Sequence, residues 1–168
     1  MSYTLELKKM LSVTDAENSL KNIDSQSLVR QNLPASYIEF IETFGAGNID
    51  DFLWILSPFT DNPNLNIFKK TEEVFATFSN DFEYVSELIS AIKSNRSFLV
   101  ATTDNGDYIF HTDVENAEKI IVLDGRFGSG ESYEMEFTEF LHKLLSQEIQ
   151  SKILEAEFFE EEIFTRLE

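Results

Sequence analysis

Two runs of β-branched and aromatic residues, Phe98-Leu99-Val100-Ala101-Thr102 and Tyr108-Ile109-Phe110-His111, flank Asp104-Asn105-Gly106-Asp107. An Asn-Gly step between strand-like runs is the strongest short-range signal for a β-hairpin. A third run, Lys119-Ile120-Ile121-Val122-Leu123, follows a turn around Glu115-Asn116-Ala117, so the spacing predicts an antiparallel meander. A meander of this kind is stable only when other elements cover its apolar face. The class that satisfies this is α+β: an antiparallel sheet with helices packed against it.

The covering helices are visible as three- and four-residue spacings. Leu33-Pro34 precedes Tyr37, Ile38, Ile41 and Phe44, one apolar stripe that closes at Gly45, with proline at the start and glycine at the stop as helix ends prefer. Phe68, Thr71, Val74, Phe75 and Phe78 predict a second helix, and Phe82, Val85, Leu88, Ile89 and Ile92 a third, with Asn80 and Glu83 at capping-box spacing. A final helix is predicted from Glu136, with Phe137, Phe140, Leu141, Leu144, Leu145 and Ile149 on one face and the spacing carried on through Ile153. Thr14 and Glu17, also at capping-box spacing, predict a short helix from near Asp15. Gly45-Ala46-Gly47-Asn48 reads as a turn, residues 52–56 as a strand ended by Pro58, and Tyr133 to Met135 as an edge strand. The whole chain, 1–168, is expected to be one domain, with a core at about 14–149 and an acidic, aromatic extension at 150–168.

Sixteen Phe, five Tyr and one Trp supply enough large side chains to offset the entropy of ordering, so disorder is not expected. Thirteen basic residues stand against 31 acidic ones, a net charge of −18. Such a surface repels nucleic-acid phosphates and anionic membranes and speeds encounter with basic partners. The last 38 residues carry eleven acidic and three basic side chains, so −8 of the total lies there. No cysteine is present, and neither a signal-peptide pattern nor a membrane-spanning run is seen, so a cytoplasmic location is expected.

Few residues carry chemistry. His111 and His142 are the only imidazoles, one on a predicted strand and one on a predicted helix, and neither belongs to a metal or catalytic motif. No cofactor and no metal is expected. Asp104-Asn105-Gly106-Asp107 lacks the ligand ladder of a calcium loop and reads as a turn. Gly125-Arg126-Phe127-Gly128-Ser129-Gly130 exposes backbone N–H groups beside an arginine, but its spacing is not that of a phosphate loop, so a mobile connection is expected. Two suitably separated carboxylates suffice for a general acid and base, as in a hydrolase, but chance pairs are abundant among 31 acidic residues. The expectation is that the chain is not an enzyme.

Asn32-Leu33-Pro34-Ala35-Ser36-Tyr37-Ile38-Glu39-Phe40-Ile41 with Phe44-Gly45-Ala46-Gly47 resembles the first signature of the SUKH superfamily, a Leu-Pro step opening a helix that closes on a glycine turn. Residues 100–110 are similar to that family's central strand, Asn-Gly-Asp turn and following strand, and Glu136-Phe137-Thr138-Glu139-Phe140-Leu141 to its closing helix. The resemblance spans about residues 14 to 149 in the family's order. It implies a bacterial immunity protein that binds and neutralises a cognate polymorphic or contact-dependent toxin. No catalytic residue transfers with it. The acidic surface suits a basic toxin such as a nuclease. The candidate contact residues are Asp50, Asp51, Asp104, Asp107, Asp124, Glu131, Glu155, Glu157, Glu160, Glu161 and Glu162. The alternatives are an intracellular scaffold of the same fold and, further off, a carboxylate-dependent hydrolase. Self-association through the C-terminal segment also stays open.

Overall fold

The computed structural model describes residues 2–15, 32–79 and 81–167. At its centre is the hairpin the sequence announces: β4 (Arg96–Thr103) and β5 (Tyr108–Val114) pair antiparallel around a turn in which Gly106 has φ +87°. That left-handed backbone is why glycine stands there. β5 returns into β6 (Ala117–Leu123) through a two-residue turn with both Glu115 and Asn116 at positive φ, the conformation whose twist matches a hairpin. β7 (Gly130–Tyr133) then pairs with β6. The edge strand thus precedes the 133–135 span expected for it, because Gly130 pairs with Leu123 and the pairing ends at Tyr133.

On the other side of β4 the sheet continues through β3 (Leu53–Ile55), β2 (Gly47–Ile49), β8 (Ile163–Arg166) and β1 (Ser12–Asp15), giving eight strands in the order β1-β8-β2-β3-β4-β5-β6-β7. Several expectations change here. Gly47-Asn48 is strand where a turn was expected. Thr14 lies in β1, where its hydroxyl donates to Phe164 O at 3.4 Å; the helix expected from near Asp15, with Glu17, Leu20 and Ile23, lies outside the described residues. β1 and β8 run parallel, so the sheet is mostly, not wholly, antiparallel. The stretch after Ile149 is no appendage, since β8 sits between β1 and β2.

Helices cover both faces. Successive strand residues point to opposite sides, and the register puts Phe110 on one face and His111, Ile120 and Tyr133 on the other. α3 (Ile67–Thr77) lies on the first face, where Phe75 and Phe78 each sit 5.9 Å from the Phe110 ring. Its N-terminus is closed by Asn66, whose side chain accepts from the N–H of Phe68 and Lys69. Thr71 Oγ1 accepts from Leu99 N–H at 2.9 Å, satisfying a β4 donor beyond the end of short β3. α4 (Ser86–Ser94) follows a 3₁₀ turn at Glu83–Val85, and Ser97 Oγ donates to Ile92 O. The start is thus later than the Asn80–Glu83 spacing predicts, and Asn80 lies outside the described residues.

α1 (Tyr3–Met10), α2 (Ala35–Phe44) and α5 (Phe137–Leu145) form the second layer. Phe137 lies 5.6 Å from Phe40 and 6.1 Å from Tyr37, and Phe140 lies 5.2 Å from Tyr133 of β7. Buried Tyr37 donates its hydroxyl to Leu56 O, and burial pushes its phenol far above the ordinary range. Phe40 and Phe44 meet Phe164 of β8 at 5.7 and 5.5 Å, tying the end of the described chain into the core. α5 stops at Leu145 and does not run through Ile153, since Gln147 is left-handed at φ +61°. Among the described residues no helix is long and apolar enough to cross a membrane.

Candidate functional site

The β2–β3, β4–β5 and β6–β7 connections of an antiparallel run leave the sheet at the same end, and here they touch. Asp104 N–H donates to Phe52 O at 2.9 Å, joining the first turn to the second. Gly125 N–H donates to Asp107 Oδ1 at 3.0 Å, joining the second to the third. The segment before β8 completes the row. Phe158 stacks on Phe52 at 4.3 Å with Phe159 edge-on at 5.6 Å, and Asp50 receives the N–H of Glu162 at 3.0 Å and of Ile163 at 2.7 Å. Four segments remote in sequence, 50–52, 104–107, 124–129 and 155–162, thus make one rim. It holds ten carboxylates and one basic side chain, Arg126.

The eleven sequence candidates divide into two groups within this arrangement. Asp50, Asp107, Asp124 and Glu131 are spent internally. Asp107 is 6% exposed and accepts from Thr103 Oγ1 at 2.7 Å. Glu131, on β7 beside the rim, accepts from Tyr133 Oη, Ser151 Oγ and Lys152 N–H, holding the turn after α5 against the sheet. Burial, together with this bond to Glu131, pushes the Tyr133 phenol upward. Asp51, Asp104, Glu155, Glu157, Glu160 and Glu161 face solvent, and Glu162 is half-buried at φ +52°. The pattern is a solvated row of acids resting on a second row that fastens the turns together.

Asp124 also decides the nature of the glycine-rich loop. Its carboxylate accepts from Arg126 N–H at 2.8 Å, from Ser129 Oγ at 2.7 Å and from Ser129 N–H. Partial burial raises its pKa, but hydrogen bonds from Ser129, Arg126 and Gly128 outweigh that and hold the carboxyl below its ordinary value. Backbone donors that a phosphate would need are already given to this side chain. Phe127, at φ +56°, stacks on Phe82 at 4.5 Å and on Tyr108 at 5.7 Å, so the connection expected to be mobile is tied at both ends.

A second grouping was missed from sequence. His111, Asp113 and Glu118 each place a ligand-type atom within 4.8 Å of the other two. Asp113 stands opposite Glu118 in the β5–β6 register, and His111 is two residues away on the same face. The signal was present: a tight turn at Glu115-Asn116 fixes that register, and His-x-Asp on a strand shares a face. His142 has no such company; its Nδ1 is 3.8 Å from exposed Glu148, and its ring lies 5.4 Å from Tyr3.

No family model matches the chain, and no curated protein or solved structure matches it either. The SUKH resemblance therefore rests on the residues that carry it.

Proposed function

We propose that the chain is a binding protein that neutralises a basic cognate toxin, as the SUKH resemblance implies, with the acidic rim as its docking surface. The observation that carries this reading is the convergence of four distant segments on one end of the sheet with Arg126 the lone basic residue among them. Charge gathered in one place produces a directed field, which a uniform solubility coat of the same total does not. Such a field raises the association rate of a basic partner more than its final affinity. Exposed carboxylates supply the contacts, while Asp50 and Asp107 keep the turns beneath them in place.

A carboxylate-dependent hydrolase would need two acids in one concave site. The hollow after α5, lined by Leu144, Gln147, Ile149, Gln150, Ser151, Leu154, Glu155 and Ala156, holds only Glu155. Another, beside α4, is lined by Ser79, Ser86, Ile89, Ser90, Lys93 and Ser94 and holds no acid. Neither of these hollows brings two acids together.

The test is a stopped-flow association series against the product of the adjacent gene, across ionic strength, for the parent and for Glu157→Gln, Glu160→Gln and Glu161→Gln combined. All three side chains are exposed, so the variant keeps its fold. Salt that shortens the screening length to about 10 Å at 0.1 M should slow association several-fold, and the triple variant should be slower and less salt-dependent. Association indifferent to both salt and substitution would remove the rim from the mechanism.

A further inference from the structure

We propose that His111, Asp113 and Glu118 form a binding site for one divalent transition-metal ion of the borderline class, for which Zn²⁺ and Co²⁺ are the probes. The proposal is independent of the docking rim. These residues flank the β5–β6 turn, which leaves the sheet at the end opposite the rim.

The first observation is His111 itself. Its side chain is 1% exposed, and neither ring nitrogen has a hydrogen-bond partner among the described residues. A buried polar group left without a partner is destabilising. Nε2 is nevertheless aimed at the cluster, 3.3 Å from Glu118 Oε1, in a contact without hydrogen-bond alignment. That spacing is what shared ligation requires: with metal–ligand bonds of about 2.0–2.1 Å, neighbouring ligand atoms of a tetrahedral site lie about 3.4 Å apart. A metal on Nε2 would give this nitrogen the partner it lacks and leave Nδ1 carrying the ring proton.

The second observation is rigidity and access. All three residues sit on β5 and β6, which pair with each other from end to end, so the donor atoms are held by backbone register and not by a loop. Asp113 and Glu118 are 22% and 32% exposed, which opens a path for an ion, while His111 closes the inner side. Arg96 donates to Asp113 from both Nε, at 2.8 Å, and a terminal guanidinium nitrogen, and both contacts fall on Oδ2. Oδ1 keeps its lone pairs, and the arginine orients the carboxylate from behind as outer-shell partners of metal ligands do.

Ligand chemistry selects the ion. One imidazole with two carboxylates is too nitrogenous for the Mg²⁺ or Ca²⁺ preference for all-oxygen sites and lacks the sulfur favoured by Cu⁺, leaving borderline ions such as Zn²⁺ and Co²⁺. Three protein ligands leave at least one position for water.

The experiment titrates chelator-stripped protein with Zn²⁺ by calorimetry and with Co²⁺ by visible absorption, in about 0.1 M salt to screen the acidic surface. The expected result is one ion per chain, a raised Tm with Zn²⁺, and Co²⁺ ligand-field bands of an imidazole-bound, low-coordinate site. Glu118→Gln and Asp113→Asn, both at part-exposed positions, should each weaken binding by about tenfold or more. The Glu157, Glu160 and Glu161 triple variant should bind as the parent does. His111→Ala should lose the cobalt bands, and if it does not fold the two carboxylate variants decide the matter. Binding unchanged in Glu118→Gln and Asp113→Asn, or a cobalt spectrum of the aquo or all-carboxylate type, would overturn the proposal and assign any bound ions to the acidic surface.

Discussion

Replacing Phe164 by Ala asks whether the segment before residue 167 is part of the core or lies upon it. The ring is 0% exposed and meets Phe40 and Phe44 of α2. It also covers the backbone of β2: a Cβ placed on Gly47 would lie 2.7 Å from Phe164 Cζ and 2.2 Å from Thr165 O, so glycine is needed there for the strands to approach. Removing the ring loses transfer free energy of about 1.5–3 kcal/mol. It also opens a cavity. If roughly 50 Å³ of it fails to collapse, at about 24 cal/mol per Å³, a further ~1 kcal/mol is lost. The neighbours belong to α2, β2 and β8, which cannot all close in together, so a total of about 3–4 kcal/mol is expected. For a chain of this length that lowers Tm by roughly 6–16 °C. The assay is urea and thermal unfolding followed by circular dichroism, with Tyr84→Ala as the control, because Tyr84 is 85% exposed and should change stability by no more than about 0.5 kcal/mol. A Phe164→Ala loss below about 1 kcal/mol would refute the placement of β8 inside the sheet.

Two further outcomes follow from the turns. Gly106→Val should destabilise the protein by about 1–3 kcal/mol. A Cβ there meets nothing within 4 Å, so the cost comes wholly from φ +87°, and an unchanged Tm would show that the turn relaxes freely. Asp124, whose folded pKa is depressed, contributes stability that is complete above its unfolded pKa of about 3.9 and is lost as pH falls through the lower folded value. A carboxyl titration by NMR should place its midpoint below that of an ordinary aspartate, with the Ser129 amide released in the same step; a midpoint at or above the ordinary value contradicts the loop's hydrogen bonding.

The parts of this fold legible in the sequence are those set by local signals. The Asn105-Gly106 turn, the Pro34-to-Gly45 helix and the start of the α5 stripe each announce themselves within a dozen residues, and each begins where it was expected. β1, β2 and β8 were not legible. Strands of three or four residues put only one or two side chains on the core face, and Ile163-Phe164-Thr165-Arg166 has no turn beside it to suggest a partner. Ile149 and Ile153 keep helical spacing past the point where Gln147 turns left-handed, so periodicity overran the true stop. The acidic candidates could be picked out by charge, but their meeting on one rim depends on strand order, which composition does not encode.

Parallel pairing of β1 with β8 joins Ser12 to Ile163, a separation of 151 residues. Closing so long a loop costs about 4 kcal/mol of chain entropy before any contact rewards it, whereas β4 to β7 are linked by short turns and can assemble as soon as they are made. During synthesis the β2 edge therefore waits, with unpaired N–H and C=O groups, until residues 163–166 arrive to cover it. The order of assembly runs from the hairpin outward, and the 155–162 stretch, held by Asp50 through the N–H of Glu162 and Ile163, is set in place only by that last strand. The rim is thus completed only by the strand whose pairing with β1 spans 151 residues of chain.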